Sequence, residues 1–179
     1  KLWISWMNRD QNILKVYDVN LNDGSKKIVY EEQQKTWIDL DDNSRFYFLD
    51  NNAGFLVKSD KDGWENLYLY DQQGNFKNAV TNGNFWGTSI VKVDEKKKEI
   101  YFRARKENSA RFDFYKASLN GGPAQRLSFG DYSHDVISLS PGGKYFITTY
   151  SNISTPQTMA LVEVKSGKVI RELGNAKGS

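Results

Sequence analysis

Ser133-His134-Asp135 sets side by side the three side-chain types of a nucleophile, a general base and an orienting acid. Their spacing defeats that chemistry. Consecutive residues on a strand point to opposite faces, so three neighbours cannot converge on one reacting atom. His134 is the only histidine of the chain, and nothing else in the sequence offers it a distant partner, so it reads as a loop residue ahead of the last group of strands. Asp60-Lys61-Asp62-Gly63 is similar to the opening of a calcium loop, but Glu65 and Asn66 come too early to supply the bidentate ligand such a loop needs at its twelfth position. Turn formation accounts for the cluster. Asp39, Asp41, Asp42 and Asn43 are a second acidic group, and acidic loops are commonly just solvated. With no cysteine, neither a disulfide nor a thiolate metal site exists. These residues imply no catalytic centre, no metal and no cofactor.

The elements that would have to position any site are strands. Short runs rich in aromatic and β-branched residues recur, each bounded by Gly, Asn, Asp or Pro. Four of them lead through a glycine-bearing turn into a second strand: Val16–Tyr30, Leu69–Val80, Tyr115–Leu127 and Val162–Leu173. The turn glycines Gly24, Gly74, Gly122 and Gly167 follow one another at intervals of 50, 48 and 45 residues. A repeat of that length with four short strands per unit predicts β-propeller blades, and no helical start or stop signals frame an amphipathic stripe. The fold class expected is all-β, about four blades of four antiparallel strands, over residues 1–34, 35–85, 86–130 and 131–175. The first has only three strands: Leu2–Met7, Ile13–Val19 and Lys27–Tyr30. Its opening strand would precede Lys1, which predicts a fragment of a larger ring whose exposed blade edges favour self-association into a homo-oligomer.

Composition agrees with a packed β domain. Ten Tyr, ten Phe and five Trp make up 14% of the 179 residues, and large flat side chains suit stacked sheets. Trp3, Trp6 and Trp37 are core candidates, whereas Trp64 and Trp86 lie near loops. The net charge is only +3, and the one dense basic run, Lys96–Lys98, is interleaved with acids. Nucleic acid is therefore not an expected partner. No apolar run approaches the length of a membrane span.

Several phrases carry a family resemblance. Leu2-Trp3-Ile4-Ser5-Trp6-Met7-Asn8-Arg9-Asp10, Ser59-Asp60-Lys61-Asp62-Gly63-Trp64-Glu65-Asn66-Leu67-Tyr68, Val80-Thr81-Asn82-Gly83-Asn84-Phe85 and Ser138-Leu139-Ser140-Pro141-Gly142-Gly143-Lys144 occur in an order that resembles the N-terminal propeller of the dipeptidyl peptidase IV family. The resemblance implies the second half of an eight-bladed propeller. It implies a parent that is a serine exopeptidase removing N-terminal dipeptides, exported to a bacterial periplasm or cell surface. The nucleophile elbow is absent from this chain, so the hydrolase domain lies elsewhere and this part is not itself the enzyme. Its implied partners are the remaining blades, the hydrolase domain and the peptide substrate, for which it is gate and scaffold. Tyr30-Glu31-Glu32 looks like the paired glutamates that hold the substrate amine in the family, but it ends an outer strand, where solvated charge is the plainer reading. The segment Trp37 to Asp42 falls where the family sends a loop toward the substrate pocket, making Trp37, Asp39, Asp41 and Asp42 the pocket candidates. The family often places an aromatic and an Arg there, and this sequence has Leu40, Asp41 and Asp42 instead. A stand-alone propeller that binds peptide or glycan is the alternative reading.

Overall fold

The computed structural model describes residues 2–39, 45–50 and 53–176. All regular structure among them is β, in four antiparallel sheets whose strands follow chain order, and the chain forms two compact units, Lys1–Ala79 and Val80–Ser179.

The first unit holds two sheets. The first is β1 (Leu2–Met7), β2 (Ile13–Val19) and β3 (Lys26–Gln33). The second is β4 (Phe46–Phe48), β5 (Phe55–Ser59), β6 (Asn66–Tyr70) and β7 (Phe76–Ala79). The second unit contains a third sheet of β8 (Trp86–Asp94), β9 (Glu99–Arg105), β10 (Asp113–Ser118) and β11 (Gln125–Arg126). Its fourth sheet is β12 (Ser133–Leu139), β13 (Tyr145–Asn152), β14 (Thr155–Glu163) and β15 (Val169–Asn175). The strand pattern read from the sequence, including a three-stranded first sheet, is the one observed. β11 is shorter than the expected Ala124–Ser128 because Leu127 and Ser128 both turn their N–H groups to the single carbonyl of Phe114, at 2.7 and 3.4 Å, which ends the regular ladder.

The four repeat glycines all have positive φ, from 66° at Gly167 to 113° at Gly122, as tight hairpin turns demand. At Gly74 the requirement is also steric: a Cβ there would stand 2.1 Å from the backbone oxygen of Val29. Any side chain at this position would push a turn of the second sheet away from a strand of the first.

Aromatic pairs build the cores. In the first unit Trp3 meets Phe55 edge-on at 4.9 Å, Tyr30 meets Tyr70 at 5.3 Å, and Phe55 stacks on Tyr70 at 5.3 Å. Each such pair contributes about 0.5–1.5 kcal/mol beyond the area it buries. In the second unit Phe114 packs on Phe146 at 5.1 Å, beside Tyr101, Leu127 and Tyr150. Two tryptophans expected in the core are not there. Trp6 is 48% exposed, because β1 alternates: Trp3 and Met7 face the core, and Leu2, Ile4 and Trp6 occupy the opposite face. Trp37 is 73% exposed, and its neighbour Ile38 takes the buried place.

Candidate functional site

The segment that follows β3 contains the pocket candidates. Asp41 and Asp42, with Leu40 and Asn43, lie outside the described residues. Trp37 projects into solvent. The backbone beneath it is pinned: the Ile38 N–H donates to the Gln11 carbonyl at 2.6 Å, and Gln34 N–H to the Asn12 carbonyl at 2.9 Å. The Asp39 carbonyl accepts a hydrogen bond from Arg45 Nη1 at 3.1 Å. An exposed indole is thereby held on a short, fixed stretch of chain.

The residue that organises this stretch is Glu32, not a solvated strand end. It is only 4% exposed. Arg45 Nη2 lies 2.7 Å from Oε1, Gln34 Nε2 donates to the same oxygen at 2.6 Å, and the Tyr30 hydroxyl donates to Oε2. Burial alone would raise the Glu32 carboxyl. The charge of Arg45 and the hydrogen bonds from Tyr30, Arg45 and Gln34 outweigh it and hold the group below the usual carboxylate range. Burial, then the facing Glu32 charge, pushes the Tyr30 phenol well up, so it stays a donor. Both Glu32 oxygens are therefore engaged within the protein, whereas Glu31 faces outward against Lys15 at 3.2 Å. No local pattern in the sequence marked this. A bulge between Val16 and Tyr17 resets the register so that Tyr30 pairs with Val16, a core position, and Glu32, two residues on, shares the core face of β3.

Asp60 and Asp62 act separately. Asp60 Oδ1 accepts from Gln34 Nε2 at 2.8 Å, Asp62 Oδ2 accepts from the Tyr68 hydroxyl at 2.7 Å, and Gly63 N–H closes the turn on the Asp60 carbonyl. The expected turn role describes them.

His134 differs from expectation. It belongs to β12 rather than to a loop and is fully buried. The alternation that kept the three neighbours apart holds: Ser133 Oγ donates to Asp135 Oδ1 at 3.2 Å, while the imidazole points elsewhere. Nε2 donates to the Phe129 carbonyl at 3.0 Å, and Nδ1 meets Thr148 Oγ1 at 3.1 Å. Burial lowers its pKa from the ordinary histidine value. Phe129 and Tyr150 pack around the ring, with centroids 5.0 and 6.1 Å away.

A further buried carboxylate, Asp113 at the start of β10, was not singled out from the sequence. It is 0% exposed; Oδ1 receives Arg126 Nε at 2.8 Å and Ser128 Oγ at 2.7 Å, and Arg111 Nε stands 3.8 Å from Oδ2. Asp113, Tyr115 and Ala117 share one buried face of an interior strand, and that alternation was the available clue.

The described geometry is that of paired, inward-facing polar groups in each unit and an exposed tryptophan on the segment that follows β3. Comparison with known proteins gives the chain its family. Residues 1–157 match the family model of the dipeptidyl peptidase IV (DPP IV) N-terminal region. The chain is 30% identical over 164 residues to a dipeptidyl peptidase 4 of Arthroderma otae, covering 90% of this chain and 21% of that protein. It is 30% identical over 152 residues to the dipeptidyl peptidase 4 of Trichophyton rubrum, covering 83% and 20%. Among solved structures, that of Porphyromonas gingivalis dipeptidyl peptidase 4 superposes with a TM-score of 0.82 at 27% identity, over 98% of this chain and 24% of the other. The chain thus spans about a fifth of the length of the curated relatives it matches. With its all-β architecture and this likeness, the chain belongs to the dipeptidyl peptidase IV N-terminal-region family and has the fold of a partial β-propeller.

Proposed function

We propose that this chain is the non-catalytic propeller portion of a serine-type dipeptidyl peptidase, where it is scaffold and gate for peptides reaching a hydrolase domain. The observation that carries the reading is the family match across residues 1–157, joined to four antiparallel sheets in chain order. In this role the chain's partners are the other blades, the hydrolase domain and a peptide with a free N-terminus, in the periplasm or at the cell surface. Trp37 and Asp39, with Asp41 and Asp42, border the substrate path. The exposed indole of Trp37 on a pinned backbone supports that assignment, since a fixed aromatic surface binds a peptide with little ordering penalty.

Reading the gene on both sides of this segment, then assaying the complete product, tests the proposal. A downstream serine elbow, and cleavage of a Gly-Pro chromogenic substrate that a serine-directed phosphonate abolishes, are expected. The 179-residue chain assayed alone should give no turnover. A gene without a hydrolase region, or turnover by the isolated chain after rigorous purification, would overturn the reading, and the first result would favour a stand-alone binding propeller.

A further inference from the structure

Of the four arginines in the third sheet and its connections, two have a carboxylate and two do not. Arg126 and Arg111 converge on Asp113, and Arg111 also reaches Asp131 at 3.0 Å. Arg103 and Arg105 have no carboxylate among the described residues. Both guanidinium carbons instead lie 4.1 Å from the centroid of one ring, that of Phe112. Two like charges share a single aromatic ring with no anion between them.

The local structure fixes this arrangement. Arg103 and Arg105 are two residues apart on β9 and so project from one face of it. On β8, Ser89 pairs with Arg103 and Trp86 with Arg105, and both β8 residues are exposed. The ring of Phe112 is held by its backbone: its N–H donates to Ser133 Oγ at 3.3 Å and its carbonyl accepts from the His134 N–H at 2.8 Å. Gly87, with φ +62°, makes room for the ring; a Cβ there would come within 3.0 Å of it. Arg103 Nη1 donates to the Asp135 carbonyl, which orients its plane. The Nε of Arg105 is buried without a hydrogen-bond partner. The nearby carboxylates are engaged elsewhere: Asp135 with Ser133, Asp131 with Arg111, Glu107 with Lys106.

We propose that Arg105 and Arg103, stacked over Phe112 and with the exposed Trp86 paired to Arg105 on the neighbouring strand, form a receptor for a carboxylate of a peptide ligand. A guanidinium resting on an aromatic ring has one face desolvated while its in-plane donors stay directed outward. That planar fork matches a carboxylate, and its pre-organisation reduces the entropy lost on binding. An arriving anion relieves the repulsion between two positive groups, and the Trp86 indole offers apolar surface to the adjoining peptide. This receptor is independent of any peptidase role.

The test uses the whole 179-residue chain labelled with ¹⁵N-arginine and ¹⁵N-tryptophan. The probes are a blocked Ala-Asp-Ala-Asp-Ala peptide, its Asn-for-Asp counterpart and inorganic phosphate. The acidic peptide should shift the Arg105 Nε–H and Trp86 indole resonances saturably, and the Asn peptide should not. Arg105→Gln should raise the dissociation constant about tenfold or more, and Arg105→Lys nearly as much, since an ammonium cannot offer the fork. Should either variant fail to fold, Phe112→Leu removes the stacking surface and is expected to weaken binding similarly. Equal response to the Asn peptide, tighter binding of phosphate than of the acidic peptide, wild-type affinity in Arg105→Lys, or no response at all would each overturn the proposal.

Discussion

Among the described residues each compact unit buries one carboxylate, and the two are satisfied in different ways. In the first unit Glu32 of β3 meets Arg45, which stands at the head of β4. The pair therefore joins two sheets, and both side chains are nearly out of solvent, at 1% and 9% exposure. In the second unit Asp113 meets Arg126 across the β10–β11 hairpin of one sheet, and both of its arginines keep partial contact with water, at 29% for Arg126 and 19% for Arg111. Glu32 has hydrogen bonds on both oxygens, whereas Asp113 concentrates its bonds on Oδ1 and leaves Oδ2 without one. The contrast teaches that a buried charge can lock the packing of sheet against sheet or the register of a single hairpin. The energy at stake depends on how much water its partner retains.

The largest effect is expected at Glu32. Glu32→Leu leaves the Arg45 guanidinium buried and unpaired, which should cost about 3–5 kcal/mol in denaturant unfolding. Hydrogen exchange should accelerate in both sheets of the first unit. Glu32→Leu combined with Arg45→Met removes the whole pair and should recover most of that loss. If the double variant is as unstable as the single one, the pair is not acting as a unit and the comparison with Asp113 breaks.

Asp113→Asn should cost less, roughly 2 kcal/mol, because Arg126 and Arg111 can turn toward water when the carboxylate is gone. Exchange should rise in β10 and β11 and leave the first sheet unchanged. A loss as large as that of Glu32→Leu would show that partial exposure of the arginines offers no relief.

The second unit also buries the single histidine of the chain. His134 is buried and its pKa lies below the ordinary value, chiefly through burial, with the charge of Arg126 acting in the same direction and the Phe129 carbonyl and the charges of Asp113 and Asp135 opposing it. The unfolded chain therefore takes up the proton first as pH falls. Stability is full above the unfolded value of about 6.5 and is lost as pH drops from there toward the lower folded value. Thr148 moderates this. Its hydroxyl lies 3.1 Å from Nδ1 and 3.2 Å from the Thr149 carbonyl, so it can donate to the neutral ring or, after protonation, accept from it and donate to the carbonyl. Thr148→Val should extend the acid-sensitive window to lower pH, read as thermal unfolding at stepped pH. His134→Gln should abolish the dependence that belongs to this group.

The strands and their turns were legible in the sequence because each depends on local chemistry: alternation, bounding polar residues and glycines at positive φ in the four turns. The buried charges were not. Arg45 and Arg126 each stand 13 residues from their carboxylate, and no period links the members of either pair. Glu32 was hidden by a bulge that shifts the face of β3. Trp3 and Trp6 look alike in composition, and only their odd spacing on one strand separates the core residue from the surface one. The Arg103–Arg105–Phe112 group escaped notice because it joins β9 to the last residue of the seven-residue connection that follows it and depends on a glycine opposite the ring.

Trp37 sharpens the comparison at its smallest scale. It lies between Glu32 and Arg45 in sequence, yet its indole contributes little packing, at 73% exposure. Trp37→Ala should change stability by no more than about 0.5 kcal/mol. Trp3→Ala, which removes edge contacts to Phe48 and Phe55 at 4.9 Å, should cost several times more. Equal losses from the two would mean that Trp37 packs against the protein in solution. If Trp37→Ala is silent in unfolding but, in the complete gene product proposed above to be a dipeptidyl peptidase, raises KM for peptides without changing kcat, the exposed indole is a binding surface.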